Sequence, residues 1–69
     1  MKYKKGDVVV RMGPEPMYYV ITCVDTKNYQ CILSRNLKEI YSGSRFITNH
    51  SALEGITELL TDELKVCLL

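Results

Sequence analysis

The 69-residue sequence has no tryptophan, one phenylalanine, one histidine and only two prolines and four glycines. The glycines Gly6, Gly13, Gly43 and Gly55 fit neither G-x-G-x-x-G nor G-x-x-x-x-G-K, which excludes both common phosphate-cradling loops. No apolar run approaches the ~20 residues that span a bilayer. Val8-Val9-Val10 is stopped at once by Arg11, and no apolar stretch follows the charged start, so a signal peptide is not expected. The three cysteines, Cys23, Cys31 and Cys67, are odd in number and far apart, unlike the dense, even set of a secreted disulfide scaffold. A cytoplasmic protein with reduced thiols is expected.

What is present describes an ordinary globular chain. Apolar residues make up 46% and charged residues 25%. That is enough apolar surface to offset the entropy of ordering, which argues against disorder. The length allows one domain, 1–69, and a domain of this size buries only about 60% of the surface its unfolded chain exposes. A partner subunit would relieve that shortage.

Charge is near balance overall, at +1, but unevenly placed. Residues 1–50 carry Lys2, Lys4, Lys5, Arg11, Lys27, Arg35, Lys38 and Arg45 against Asp7, Glu15, Asp25 and Glu39. Residues 51–69 carry Glu54, Glu58, Asp62 and Glu63 against Lys65. The pattern predicts a mildly basic sheet with an acidic tail.

Strand signals fill the first 49 residues. A β-branched run over Asp7–Met12 follows the turn residue Gly6, and Gly13-Pro14-Glu15-Pro16 breaks it because proline offers no ladder N–H. Strands are predicted over Met17–Asp25 and Tyr29–Arg35, joined by a three-residue loop, Thr26-Lys27-Asn28, with Asn28 in the left-handed position. That loop pairs Cys23 with Cys31 and Ile21 with Leu33, all four on the core face. The opposite face, with Val20, Val24 and Ile32, is too apolar to stand free and calls for a cover. Glu39-Ile40-Tyr41 and Arg45-Phe46-Ile47 flank Ser42-Gly43-Ser44 as a second hairpin. Ser51 and Glu54 have the spacing of a capping box. Leu53, Ile56, Leu60, Leu64 and Cys67 then repeat at helical spacing. An amphipathic helix is predicted over 51–64, with two alternatives for the rest: it runs on to the end, or it breaks near Thr61-Asp62 and leaves 65–69 as a last strand. The fold class is mainly β (α+β): a five-stranded, SH3-like small barrel with a C-terminal amphipathic helix.

The opening Tyr3-Lys4-Lys5-Gly6-Asp7-Val8-Val9, the Gly/Pro turn and Pro16-Met17 resemble the start of the YodC-like family of small bacterial proteins. The resemblance is confined to the N-terminal third of the chain. This chain departs from the family at Gly13-Pro14-Glu15-Pro16 and lacks the tryptophan usual in the family's middle strand. The resemblance implies an SH3-like barrel and no known activity.

Candidate sites are few. Cys23, Cys31, Cys67 and His50 offer zinc-ligating atoms, but no pair has the close spacing such sites use, and core packing is the expected role of the cysteines. Neither a nucleophile elbow nor an orienting carboxylate accompanies His50 and a cysteine, so no enzyme, metal or cofactor is expected. Tyr18, Arg35, Lys38, Tyr41 and Arg45 mix aromatic and basic groups that could hold nucleic acid or a partner. Glu54, Glu58 and Asp62 are spaced to form an acidic stripe on one helix face, a surface for a basic protein partner. The apolar end, with Val66, Leu68 and Leu69, predicts a homo-oligomer interface. The leading functional expectation is a non-enzymatic protein-binding module, as an inhibitor or accessory subunit. The alternative is a nucleic-acid-binding barrel.

Overall fold

The computed structural model describes residues 2–68. Eight elements follow in order: β1 (Val8–Arg11), β2 (Met17–Val24), β3 (Asn28–Ser34), a 3-10 turn (Leu37–Ser42), β4 (Ser44–Asn49), α1 (His50–Ile56), β5 (Glu58–Leu59) and α2 (Asp62–Leu68). The strands form one antiparallel sheet in the order β4-β3-β2-β1-β5, which does not close on itself. The fold is α+β. No helix among the described residues is long and apolar enough to cross a membrane.

Both faces of the sheet are covered, as the apolar second face requires. On one face Val9, Tyr19, Ile21, Tyr29 and Cys31 are buried with Tyr3 and with Leu53 from α1. On the other, Val10, Tyr18 and Val20 are buried with Ile40 of the 3-10 turn, and Leu37, Leu60 and Leu64 close over them. One 69-residue chain thus maintains two thin cores, one on each face of the sheet.

The β2–β3 register differs from the predicted one. Ile21 faces Cys31 and Tyr19 faces Leu33, while Cys23 faces Gln30 across a bulge between Ile21 and Cys23. The loop is shorter than expected: the Asp25 N–H donates to the Asn28 carbonyl at 3.0 Å. The Asp25 carboxylate accepts from the N–H groups of Lys27 (3.0 Å) and Asn28 (2.7 Å). Asn28 is not left-handed, since Gly6 (φ 93°) is the sole positive-φ residue among those described. A two-residue turn without positive φ is not of the primed types that match strand twist, and a bulge adds right-handed twist. The Thr22 hydroxyl donates to the Gln30 carbonyl at 3.0 Å inside the bulge. The extra residue shifts the phase, so Cys23 is exposed rather than buried and Val24 packs on the first core.

The predicted 39–41 strand is instead the 3-10 turn, capped by the Asn36 side chain accepting from the Lys38 N–H at 3.0 Å. The single helix predicted over 51–64 is three elements. Its cap is Asn49 rather than Ser51: the Asn49 side chain accepts from the Ala52 N–H at 2.8 Å. Thr57 ends α1 in extended conformation, its N–H and its hydroxyl both donating to the Leu53 carbonyl at 3.1 and 2.6 Å. The chain then pairs β5 with the free edge of β1, Val9 with Leu59 and Val10 with Glu58. Thr61 restarts the helix by accepting from the Leu64 N–H at 3.1 Å. Residues 65–68 belong to α2 and not to a last strand.

Candidate protein interface

One sheet edge is covered poorly. β5 contributes two residues to its edge, but β4 contributes six, and its burial runs from exposed to half-buried throughout. Because β4 is joined to β3 on one side only, alternate backbone groups point outward. The His50 N–H donates to the Lys27 carbonyl at 3.0 Å, which extends the Asn28–Asn49 register by one pair and fixes the alternation. Ser44, Phe46 and Thr48 therefore bond β3. Arg45, Ile47 and Asn49 direct their N–H and C=O groups away from the sheet. The groups of Arg45 and Ile47 have no backbone partner among the described residues.

Two adjacent side chains in the middle of this edge, Phe46 and Ile47, are apolar, and Arg45 is the single charge that guards it. Ile47 is 65% exposed and Phe46 38%. Phe46 rests against Tyr19, ring centroids 5.9 Å apart, so it continues the first core to the rim. Thr22, Gln30, Ile32, Arg45 and Ile47 surround a shallow cleft of about 230 Å³ on the other face, floored by β3 and β4. The Cys31 thiol beneath it is pushed up to about 11 by burial.

Comparison of the chain with protein-family models, with curated proteins and with solved structures returns no match.

The predicted site residues are scattered by this arrangement. Tyr18 is buried in the second core and presents no ring face for a base. Lys38 and Tyr41 lie exposed on the 3-10 turn, Tyr41 at 75%. Arg35 lines a different cleft with Arg11, Met17 and the Gly13-Pro14-Glu15 loop. Arg45 alone borders the β4 groove. The acidic stripe does not exist as a helix face, since Glu54 lies on α1, Glu58 on β5 and Asp62 on α2. Val66 is exposed on α2. Leu69 lies outside the described residues, as does the Leu68 side chain.

Glu54 has an internal task. Its Oε2 accepts from the Lys2 N–H at 2.7 Å and from the Tyr29 hydroxyl. The Tyr29 oxygen in turn accepts from the N–H groups of Lys2 (3.1 Å) and Tyr3 (3.0 Å), which saturates it. The hydrogen bond from Tyr29, then that from Lys2, holds the Glu54 carboxyl below its ordinary value. Burial, then the Glu54 bond, raises the Tyr29 hydroxyl. The Tyr3 hydroxyl lies 3.0 Å from both the carbonyl and Oγ1 of Thr57. The Thr57 hydroxyl already donates to Leu53, so Tyr3 is the donor. Together these bonds strap residues 2–3 across the first core. His50 packs its ring on Tyr29 at 4.6 Å, with Nε2 buried and without a hydrogen-bond partner among the described residues.

The sequence did mark Arg45-Phe46-Ile47 as a strand. Its exposure could not be read there, because strand order makes an edge and strand order is a tertiary property.

Proposed function

We propose that this chain is a non-enzymatic protein-binding module that acts by adding a partner's extended segment to the β4 edge. The observation that carries the reading is the pair of outward, unpartnered backbone positions, Arg45 and Ile47, on an exposed strand bearing Phe46 and Ile47. Main-chain groups would supply affinity and the flanking side chains specificity. The groove beside Ile32 and Arg45 would take an apolar side chain from the added strand. Under this reading the chain is an accessory subunit or inhibitor in the cytoplasm. Its fold reading extends to an SH3-like barrel. Support for that comes from β5 returning beside β1 after a helical turn, and from the YodC-like character of Tyr3–Met17.

Photo-crosslinking tests the edge. A photoreactive group replacing Ile47 is expected to capture a protein chain in native cells, while the same group replacing Lys65 captures none. Equal capture from both positions, or none from Ile47, would count against the reading.

A further inference from the structure

The outward groups of β4 have a symmetry of their own. Arg45 and Ile47 stand one residue to either side of Phe46. A two-fold axis through Phe46, perpendicular to the sheet, places Arg45 of one copy opposite Ile47 of the other, and the reverse. Directly opposed residues of an antiparallel pair share a face, so a two-fold pairing can centre on a residue but not between two. Centring on Phe46 lets both outward N–H groups and both outward carbonyls of each chain meet partners. Centring on Ile47 would oppose Arg45 with Asn49, which already serves as the α1 cap at the end of the strand.

We infer that β4 pairs with β4 of a second copy about an axis through Phe46, joining the two five-stranded sheets into one. This rests on the reading of β4 as the contact edge and names its partner.

The side chains agree with that pairing. Phe46 meets Phe46 of the other copy at a non-hydrogen-bonded pair, where opposed side chains approach most closely. Each ring is backed by Tyr19, so the first cores of both copies run together across the junction. Ser44 falls opposite Thr48. Arg45 falls opposite Ile47 and not opposite itself, so no like charges are directly opposed, and the strand carries no acidic residue. A two-fold contact of this kind closes after two copies, and the edge left on each side is the two-residue β5.

The test uses the full chain with Cys23→Ser and Cys67→Ser, both at exposed positions. Light scattering at high micromolar concentration is expected to give twice the 7.9 kDa chain mass. Adding Phe46→Cys together with Cys31→Ala, since Cys31 lies directly opposite Phe46 within the chain, is expected to produce a covalent dimer under mild oxidation, because opposed non-hydrogen-bonded positions suit disulfide distances. Adding Ile47→Cys instead is expected to give little, since that residue opposes position 45. Ile47→Pro removes an outward N–H without touching the β3 ladder and is expected to leave a folded monomer by circular dichroism. A monomeric mass for the Cys23→Ser, Cys67→Ser chain, or trapping through Ile47→Cys in preference to Phe46→Cys, overturns the inference. A monomer that still cross-links another protein at Ile47 overturns the dimer alone. A monomer that cross-links nothing overturns the edge reading with it.

Discussion

Leu53 shows how little of this molecule is spare. It is fully buried and is the one buried residue of α1. Leu53→Ala is expected to cost about 2–5 kcal/mol in urea unfolding, the range for large-to-small core changes. Leu33→Ala should cost less, because Leu33 is only partly buried at the margin of that core. The thiols divide the same way. Cys23 and Cys67 are expected to react at once with an aromatic disulfide reagent, and Cys31 only on unfolding, since it is buried and its thiol is pushed up to about 11. Thiol titration with and without denaturant checks this. Alternation alone had put Cys23 inside; the Thr22 bulge put it outside, and a bulge leaves no mark in a β-branched run. Glu54 gives a pH dependence. Its carboxyl titrates below the ordinary 4.5, so its contribution to stability is whole above that value and fades as pH falls through the lower folded value. Tyr29 titrates above 10.0, so its contribution is whole below that value and fades as pH rises further. Thermal unfolding of Glu54→Gln should therefore show a flatter acid limb than the parent chain. The Asp25 carboxyl, held low by the Lys27 and Asn28 N–H groups, retains its own share in both.

At the scale of elements, the residues after Asn49 show where periodicity stops being informative. Leu53, Leu60 and Leu64 do all point inward, as helical spacing predicts, but to different cores: Leu53 to one face of the sheet, Leu60 and Leu64 to the other. A single helix cannot serve both faces. The chain leaves α1 at Thr57, satisfies the open edge of β1 with β5, and resumes as α2 on the far side. Local signals for this exist in the two threonines: the break near Thr61-Asp62 is one of the two sequence alternatives and Thr61 does cap α2, whereas Thr57 as a closing residue is hidden by the leucine spacing. The β1 to β3 strands were legible because Gly6 and Gly13-Pro14-Glu15-Pro16 punctuate them. The glycines left over divide by what surrounds them. Nothing lies within 4 Å of a Cβ built on Gly55, inside α1, so Gly55→Ala is expected to stabilise by up to ~1 kcal/mol through helix propensity. A Cβ on Gly43 would meet the Leu33 carbonyl oxygen at 2.1 Å. Gly43→Ala must therefore move β4 off β3, and it should lower the melting temperature while Gly55→Ala raises it.

At the scale of the whole molecule, the split between a basic first part and an acidic last part does not survive folding as two poles. The four acidic residues of 51–69 are distributed over α1, β5 and α2, and Glu54 is engaged with the N-terminal strap. The basic residues are likewise dispersed: Arg11 and Arg35 share a cleft, Lys38 lies on the 3-10 turn and Arg45 on the β4 edge. Nucleic-acid binding needs many cations along one path, and a protein with 6–10 phosphate contacts loses about 10³–10⁵ in affinity between about 50 and 200 mM salt. A strand-to-strand contact depends on backbone hydrogen bonds and apolar burial, which salt of that strength scarcely alters. The one electrostatic effect in the paired edge runs the other way. The two Arg45 side chains share a face on either side of the axis, and screening over a Debye length of about 8 Å at physiological ionic strength reduces their repulsion. Sedimentation across that salt range is therefore expected to show dimerisation unchanged or slightly strengthened. Random-sequence DNA added at the low-salt end should leave the sedimenting species unaltered. Dissociation of the dimer by rising salt, or a DNA complex that salt disperses steeply, would return the basic side chains to the centre of the function and remove the β4 edge from it.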